Sequence, residues 1–166
     1  MTITRSTFKN SLLCLSLITV SLLFSSCSKD SSSTCPEVNK TVPQNELTQL
    51  DNYISASNII AERDARGFYY AINNNGNSNK PNACANILVN YVGKLVSGQV
   101  FDQNQNASFS LKGLITGWQM AMPLVGEEGE IIIYLPPTLG YGITGNGAVP
   151  SNAITIFTIT LIKVNN

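Results

Sequence analysis

The chain contains no histidine. That absence excludes Ser-His-Asp and Cys-His catalysis and every metal site built on an imidazole. Charge is also scarce: Lys and Arg number ten and Asp and Glu ten, 12% of 166 residues, about half the usual share for a soluble domain. Formal net charge is zero, with no basic run and no basic-aromatic interleaving, so no nucleic-acid partner is expected. The four cysteines, Cys14, Cys27, Cys35 and Cys84, include no Cys-x-x-Cys pair, which removes zinc ribbons and thioredoxin-type redox motifs. No metal and no cofactor are expected. Asn, Ser and Thr take the place of charge on the surface. Hydrophobic residues reach 43%, enough to bury a core, and the length admits one ordinary domain plus extra segments.

Residues 1–26 read as an address rather than as fold. Arg5 and Lys9 precede a charge-free apolar stretch from Ser11 to Phe24, too short to span a membrane comfortably. The run Leu23-Phe24-Ser25-Ser26-Cys27 that ends it resembles a bacterial lipobox, in which the peptide is cut before the Cys and the new terminus carries acyl chains. A plain secretory signal with an incidental Cys27 is the alternative. Ser28 to Thr34 is small and polar, a flexible tether, and residues 27–42 are assigned to it. This reading places the protein in the cell envelope, lipid-anchored and at the outer membrane, with the membrane as a partner through the lipid. Cleavage removes Cys14 and lipidation consumes Cys27. Cys35 and Cys84 then remain in an oxidising compartment, either as a disulfide or as two free thiols.

Leu47, Leu50, Ile54 and Ile59 recur at spacings of three, four and five, which predicts a helix from Pro43 to Glu62 within a helical neck over residues 43–66. Pro43 suits the start, Glu46 the first turn and Gly67 a stop. Packing of this helix on its own domain is the expected arrangement. From residue 67 onward the pattern turns strand-like: Phe68 to Ile72, Ile87 to Val96 with Ile87, Val89 and Tyr91 on one face, Glu130 to Leu135 stopped by Pro136-Pro137, and Ala153 to Val164. Gln99 to Asp102 leads back from a turn at Ser97-Gly98. Ile115 to Leu124, with Trp118, reads as one short helix. The expected class is α+β, an antiparallel sheet wrapped over a helix.

Several motifs in register then resemble one family. Val89-Asn90-Tyr91-Val92-Gly93-Lys94-Leu95, followed by Gly98-Gln99-Val100-Phe101-Asp102, is similar to the FKBP pattern V-x-Y-x-G-x-L-x-x-G-x-x-F-D. Phe109 to Trp118 resembles its F-x-L-x-x-V-I-x-G-W, Leu139-Gly140-Tyr141-Gly142 its A-Y-G, and Val149-Pro150 with Ile156 to Leu161 its closing run. The resemblance covers residues 67–166 and implies an FKBP-like domain with peptidyl-prolyl cis–trans isomerase activity on proline-containing polypeptides, open to FKBP-directed macrolides.

By that resemblance Trp118 forms the floor of an aromatic cup, Tyr91, Phe101 and Phe157 its walls, and Leu114, Ile115 and Val149 its apolar rim, with Phe109 also binding substrate. Tyr91, Asp102 and Tyr141 take the catalytic positions. Tyr141 offers a hydroxyl and Ile115 a backbone N–H to substrate carbonyls, while Asp102 lies near Tyr91. There are departures. The Phe101–Phe109 segment is shorter than in typical members, no Arg matches the usual partner of the Asp, and Ala107 stands near an expected aromatic. A non-catalytic proline-peptide-binding module or chaperone is therefore the alternative, with an assembly subunit as a third.

Overall fold

A computed structural model describes Cys35 and residues 38–166. The signal segment, the lipidation candidate Cys27 and most of the tether lie outside the described residues. The elements in chain order are a helix α1 (Gln44–Ala56), strands β1 (Glu62–Asp64), β2 (Phe68–Asn74), β3 (Asn86–Leu95) and β4 (Val100–Ser110), a short helix α2 (Thr116–Ala121), and strands β5 (Glu130–Leu135) and β6 (Thr155–Asn165). The six strands form one sheet in the order β1-β2-β5-β6-β3-β4, every pair antiparallel.

Period-two alternation decides which face is buried. Along β3, Ile87, Val89, Tyr91, Gly93 and Leu95 are buried, and along β5 Ile131, Ile133 and Leu135. Of these, Ile87, Val89, Tyr91, Ile131, Ile133 and Leu135 meet Phe157, Ile159 and Leu161 of β6 and Trp118, Met120 and Ala121 of α2 in the main core. Each large apolar side chain buried there is worth about 1.5–3 kcal/mol. The sheet thus wraps around one short helix, an α+β arrangement. In β6 the alternation slips at a bulge, where Leu88 pairs with Lys163 but Val89 with Leu161, so Val164 returns to the core.

The neck differs from its sequence reading. The helix stops at Ala56, not Glu62, because Ser57 and Asn58 turn the chain, with Asn58 at φ 51°. The five-residue gap from Ile54 to Ile59 already leaves the helical period. Residues 62–64 are then strand, and they join the sheet five residues before the expected domain boundary at residue 67. Asp64 holds the β1–β2 turn: its carboxylate accepts bonds from the Arg66 backbone N–H at 2.8 Å, from Nε at 2.8 Å and from Nη2 at 2.7 Å. Gly67 occupies the turn at φ 94°, a conformation open to glycine. It ends a turn there rather than a helix. The α1 helix packs Leu50 and Ile54 against Tyr134 and Ile154, with Ile132 and Ile156 alongside. Ile132 and Tyr134 of β5 and Ile156 of β6 face outward, and Ile154 precedes β6, so α1 covers the side of the sheet opposite α2.

Cys35 and Cys84 are joined by a disulfide, 49 residues apart in sequence. Next to it, the Ala85 carbonyl accepts the Leu111 N–H at 2.9 Å, which ties the start of β3 to the turn preceding α2.

Candidate active site

The concave side of the sheet holds a cavity of about 150 Å³ lined by Tyr91, Asp102, Phe109, Leu114, Ile115, Trp118, Tyr141 and Phe157. Trp118, only 4% exposed, is its floor because α2 is short and places the indole under the sheet. Three rings stand edge-on to it: Tyr91 at 5.3 Å and 85°, Phe157 at 5.4 Å and 86°, and Phe109 at 6.3 Å and 88°. Phe101 continues the set, meeting Phe157 at 5.5 Å and Tyr141 at 5.7 Å, again nearly perpendicular. Edge-to-face contacts place the positive rim of one ring on the negative face of the next, which stiffens the walls. The Trp118 Nε1 is buried without an acceptor among the described residues, so packing rather than hydrogen bonding holds the indole.

Phe101 and Asp102 are neighbours in one strand, and regular alternation would send them to opposite faces. A bulge resolves this. Gly93 pairs with Asp102 while Lys94 pairs with Val100, leaving Phe101 as the extra residue. Bulged residues re-aim side chains, and here Phe101 reaches Phe157 and Tyr141 while Asp102 lines the cavity. Gly93 makes room beneath: a Cβ there would stand 2.7 Å from Phe101 Cζ and 2.9 Å from Phe157 Cε1.

The polar groups sit at the rim. The Tyr91 hydroxyl donates to Asp102 Oδ2 at 2.7 Å. Burial, then the bond to Asp102 and its negative charge, hold the Tyr91 phenol well above the usual tyrosine range. Burial foremost, and the Asp102 charge after it, also push the Tyr141 phenol up. Both phenols therefore remain protonated donors at neutral pH. No hydrogen bond engages the Tyr141 hydroxyl among the described residues. The Ile115 N–H donates to no described backbone carbonyl, while the Ile115 carbonyl already accepts from Trp118 N–H. The arrangement is an apolar cup with two unspent donors at its mouth. It holds no nucleophile beside a base, and among the described residues no cluster of three or more metal-ligating side chains.

Eight of the ten residues assigned to the cup line it. Phe101 is not among them but meets two that are, Tyr141 and Phe157. Val149 differs from its expected place on the rim: it is 4% exposed and locked by a backbone bridge with Asn146, each N–H reaching the other's carbonyl at 2.9 Å. Val149 is buried in its loop and does not line the cavity. Gly93 was missed as a site residue, although a glycine in the middle of an alternating buried face signals close approach. A larger cleft of about 500 Å³ lies over Asn90, Val92, Gln103, Asn104, Gln105, Thr158 and Thr160, with Tyr91 as its one aromatic. It offers amides and hydroxyls on the outward side of the sheet, with no aromatic cage.

Comparison with known proteins agrees with this geometry. Residues 77–162 match the family model described as FKBP-type peptidyl-prolyl cis-trans isomerase. The chain is 37% identical over 105 residues to the peptidyl-prolyl cis-trans isomerase Mip of Coxiella burnetii, covering 60% of this chain and 46% of that protein. It is 33% identical over 135 residues to the FKBP-type peptidyl-prolyl cis-trans isomerase FkpA of Buchnera aphidicola subsp. Baizongia pistaciae, covering 76% of this chain and 53% of that one. It spans about half the length of these curated relatives. The crystal structure of FkpA from Escherichia coli is similar at a TM-score of 0.67 and 26% identity, over 73% of this chain and 60% of that one. A peptidyl-prolyl cis-trans isomerase from Pseudomonas syringae pv. tomato matches at 0.66 and 26% identity, over 77% of this chain and 100% of that one.

Proposed function

The chain belongs to the FKBP-type peptidyl-prolyl cis-trans isomerase family, and from that premise we propose that it accelerates rotation about X-Pro bonds in exported polypeptides while held to the cell envelope by lipid. The observation that carries the reading is the cup itself: Trp118 walled by Tyr91, Phe109 and Phe157, with Asp102 and Tyr141 at its edge.

The chemistry suits a site without nucleophile or metal. Amide resonance sets a barrier of about 18–20 kcal/mol, so unaided X-Pro exchange takes roughly tens to hundreds of seconds. A cup that takes the proline ring edge-on to aromatic walls fits the twisted amide better than either planar form, and that differential binding lowers the barrier. The twisted amide has lost resonance, and its carbonyl tolerates an apolar surrounding. The Tyr141 hydroxyl and Ile115 N–H fix the peptide on either side of the rotating bond. Asp102, through Tyr91, keeps the wall upright.

The envelope placement rests on the lipobox-like run ending at Cys27 and the polar stretch that follows. Fatty-acid labelling of wild type but not of Cys27→Ala supports it; equal labelling of both removes it. A second reading, a proline-peptide-binding module or chaperone without catalysis, is favoured by β4. That strand makes the Phe101–Phe109 segment short, and Asp102 forms no ion pair among the described residues. A protease-free exchange assay on an X-Pro peptide, with and without an FKBP-directed macrolide, separates the two. Acceleration abolished by the macrolide establishes the isomerase. Macrolide binding without acceleration establishes the module.

A further inference from the structure

Among the described residues Glu46 is the one charged side chain that is buried, 6% exposed, and the cup does not use it. It stands in the first turn of α1 and reaches 92 residues along the chain, accepting the Thr138 N–H at 2.7 Å and the Thr138 hydroxyl at 2.8 Å. No Lys or Arg pairs with it among the described residues. A buried carboxylate is costly unless its oxygens are well bonded, and an apolar residue would fill this spot at less risk. Simple packing therefore does not account for it.

What Thr138 holds does account for it. Thr138 is the middle of the short turn Pro137–Leu139, next to the Pro137 carbonyl. That carbonyl accepts the N–H of Gly140 at 3.0 Å and of Gly142 at 2.8 Å, the residues on either side of Tyr141. The Tyr141 ring then stands against Phe101 at 5.7 Å. A chain of short contacts runs from α1 through Thr138 and Pro137 to Tyr141, in a loop with no strand ladder of its own.

We propose that Glu46 is a positioning residue for Tyr141, and that α1 is a working part of the site rather than a spacer before it. The inference builds on the function proposed above, so its test has one readout that needs no activity. In the full chain, Glu46→Leu removes both acceptor oxygens. Glu46→Gln restores the contact, since the amide oxygen accepts the Thr138 N–H and the amide nitrogen donates to the rotated hydroxyl. Amide exchange at Gly140 and Gly142 accelerates about tenfold or more in Glu46→Leu while that of β6 stays unchanged. Glu46→Leu lowers kcat/KM about threefold, no more than loss of the Tyr141 hydroxyl itself, Glu46→Gln recovers it, and in a Tyr141→Phe background the further loss disappears. Should Glu46→Leu not fold, Thr138→Val, which deletes only the hydroxyl, shows a smaller loss with the same dependence on Tyr141. Unchanged exchange at Gly140 and Gly142, or an equal loss with Tyr141 present and absent, overturns the proposal. Absence of catalysis in wild type overturns the isomerase reading alone, and the exchange result still stands.

Discussion

The Tyr91 hydroxyl donates a hydrogen bond to Asp102 Oδ2 across the β3–β4 pair at 2.7 Å, one residue from the bulge at Phe101. The bond joins the wall of the cup to its only acid. Removing the acid with Asp102→Ala leaves a buried hydroxyl unpaired and the wall unbraced. A loss in kcat/KM of about tenfold or more is expected, with near-unchanged circular dichroism. Tyr141→Phe removes one rim donor and costs about threefold. Wild-type rates in both variants would leave the two polar groups without a role.

Alkali supplies an independent test. Tyr69, Tyr91, Tyr134 and Tyr141 are raised above the ordinary tyrosine range by burial first, and Tyr70 by its bond to Glu62 first. Above a pH of about 10 the unfolded chain releases these protons and the native one retains them, so the unfolded state binds fewer. The contribution is fully present below that pH, and stability falls as pH rises beyond it. Tyrosinate absorbance is expected to appear late and together with unfolding. Smooth titration of all tyrosines near their ordinary value, with the fold intact, contradicts this.

Gly93→Ala places a methyl between Phe101 and Phe157, at 2.7 and 2.9 Å from their rings. Neither ring can retreat, because each is wedged edge-on against another. Overpacking of about 1–3 kcal/mol is expected in urea unfolding, with weaker macrolide binding as the cup closes.

The Cys35–Cys84 bond closes a loop with its ends 49 residues apart. Chain-entropy arithmetic for such a loop gives about 4 kcal/mol. Cys84→Ser, or dithiothreitol on the wild type, should lower the urea midpoint accordingly. Neither should change exchange activity, since the bond lies outside the cup lining. An unchanged midpoint would mean that the unfolded chain is already held compact.

Much of this was legible in the sequence because alternation and stops coincide. β5 reads from Glu130 to Leu135, bounded by Pro136-Pro137, and the buried face of β3 follows Ile87, Val89 and Tyr91. β4 was not legible at its full length. Its middle, Asp102 to Asn106, is polar, and it lies on an edge of the sheet where no second neighbour demands apolar residues. The bulge at Phe101 leaves no trace in a period-two reading. The neck helix reads too long because Gly67 suits a helix stop as well as it suits the turn held by Asp64 and Arg66. Glu46 was read as a favourable charge near a helix start, and its partner 92 residues away has no local signal. Val149 takes its expected place from a motif, and a motif carries no signal for the local Asn146–Val149 backbone bridge in which the residue is held.

β6 comes last of the six strands among the described residues yet has neighbours on both sides, β5 and β3. Without it the sheet is two unconnected pieces, β1-β2-β5 and β3-β4. A chain delivered amino-end first from a ribosome or a translocon holds those pieces apart, each with an open edge, until residues 155–165 arrive. Phe157 arrives with them, and one wall of the cup is missing until then. Closure is late and long-range, the slow kind of folding step, so the nascent molecule is itself the sort of unfinished chain that depends on protection from aggregation.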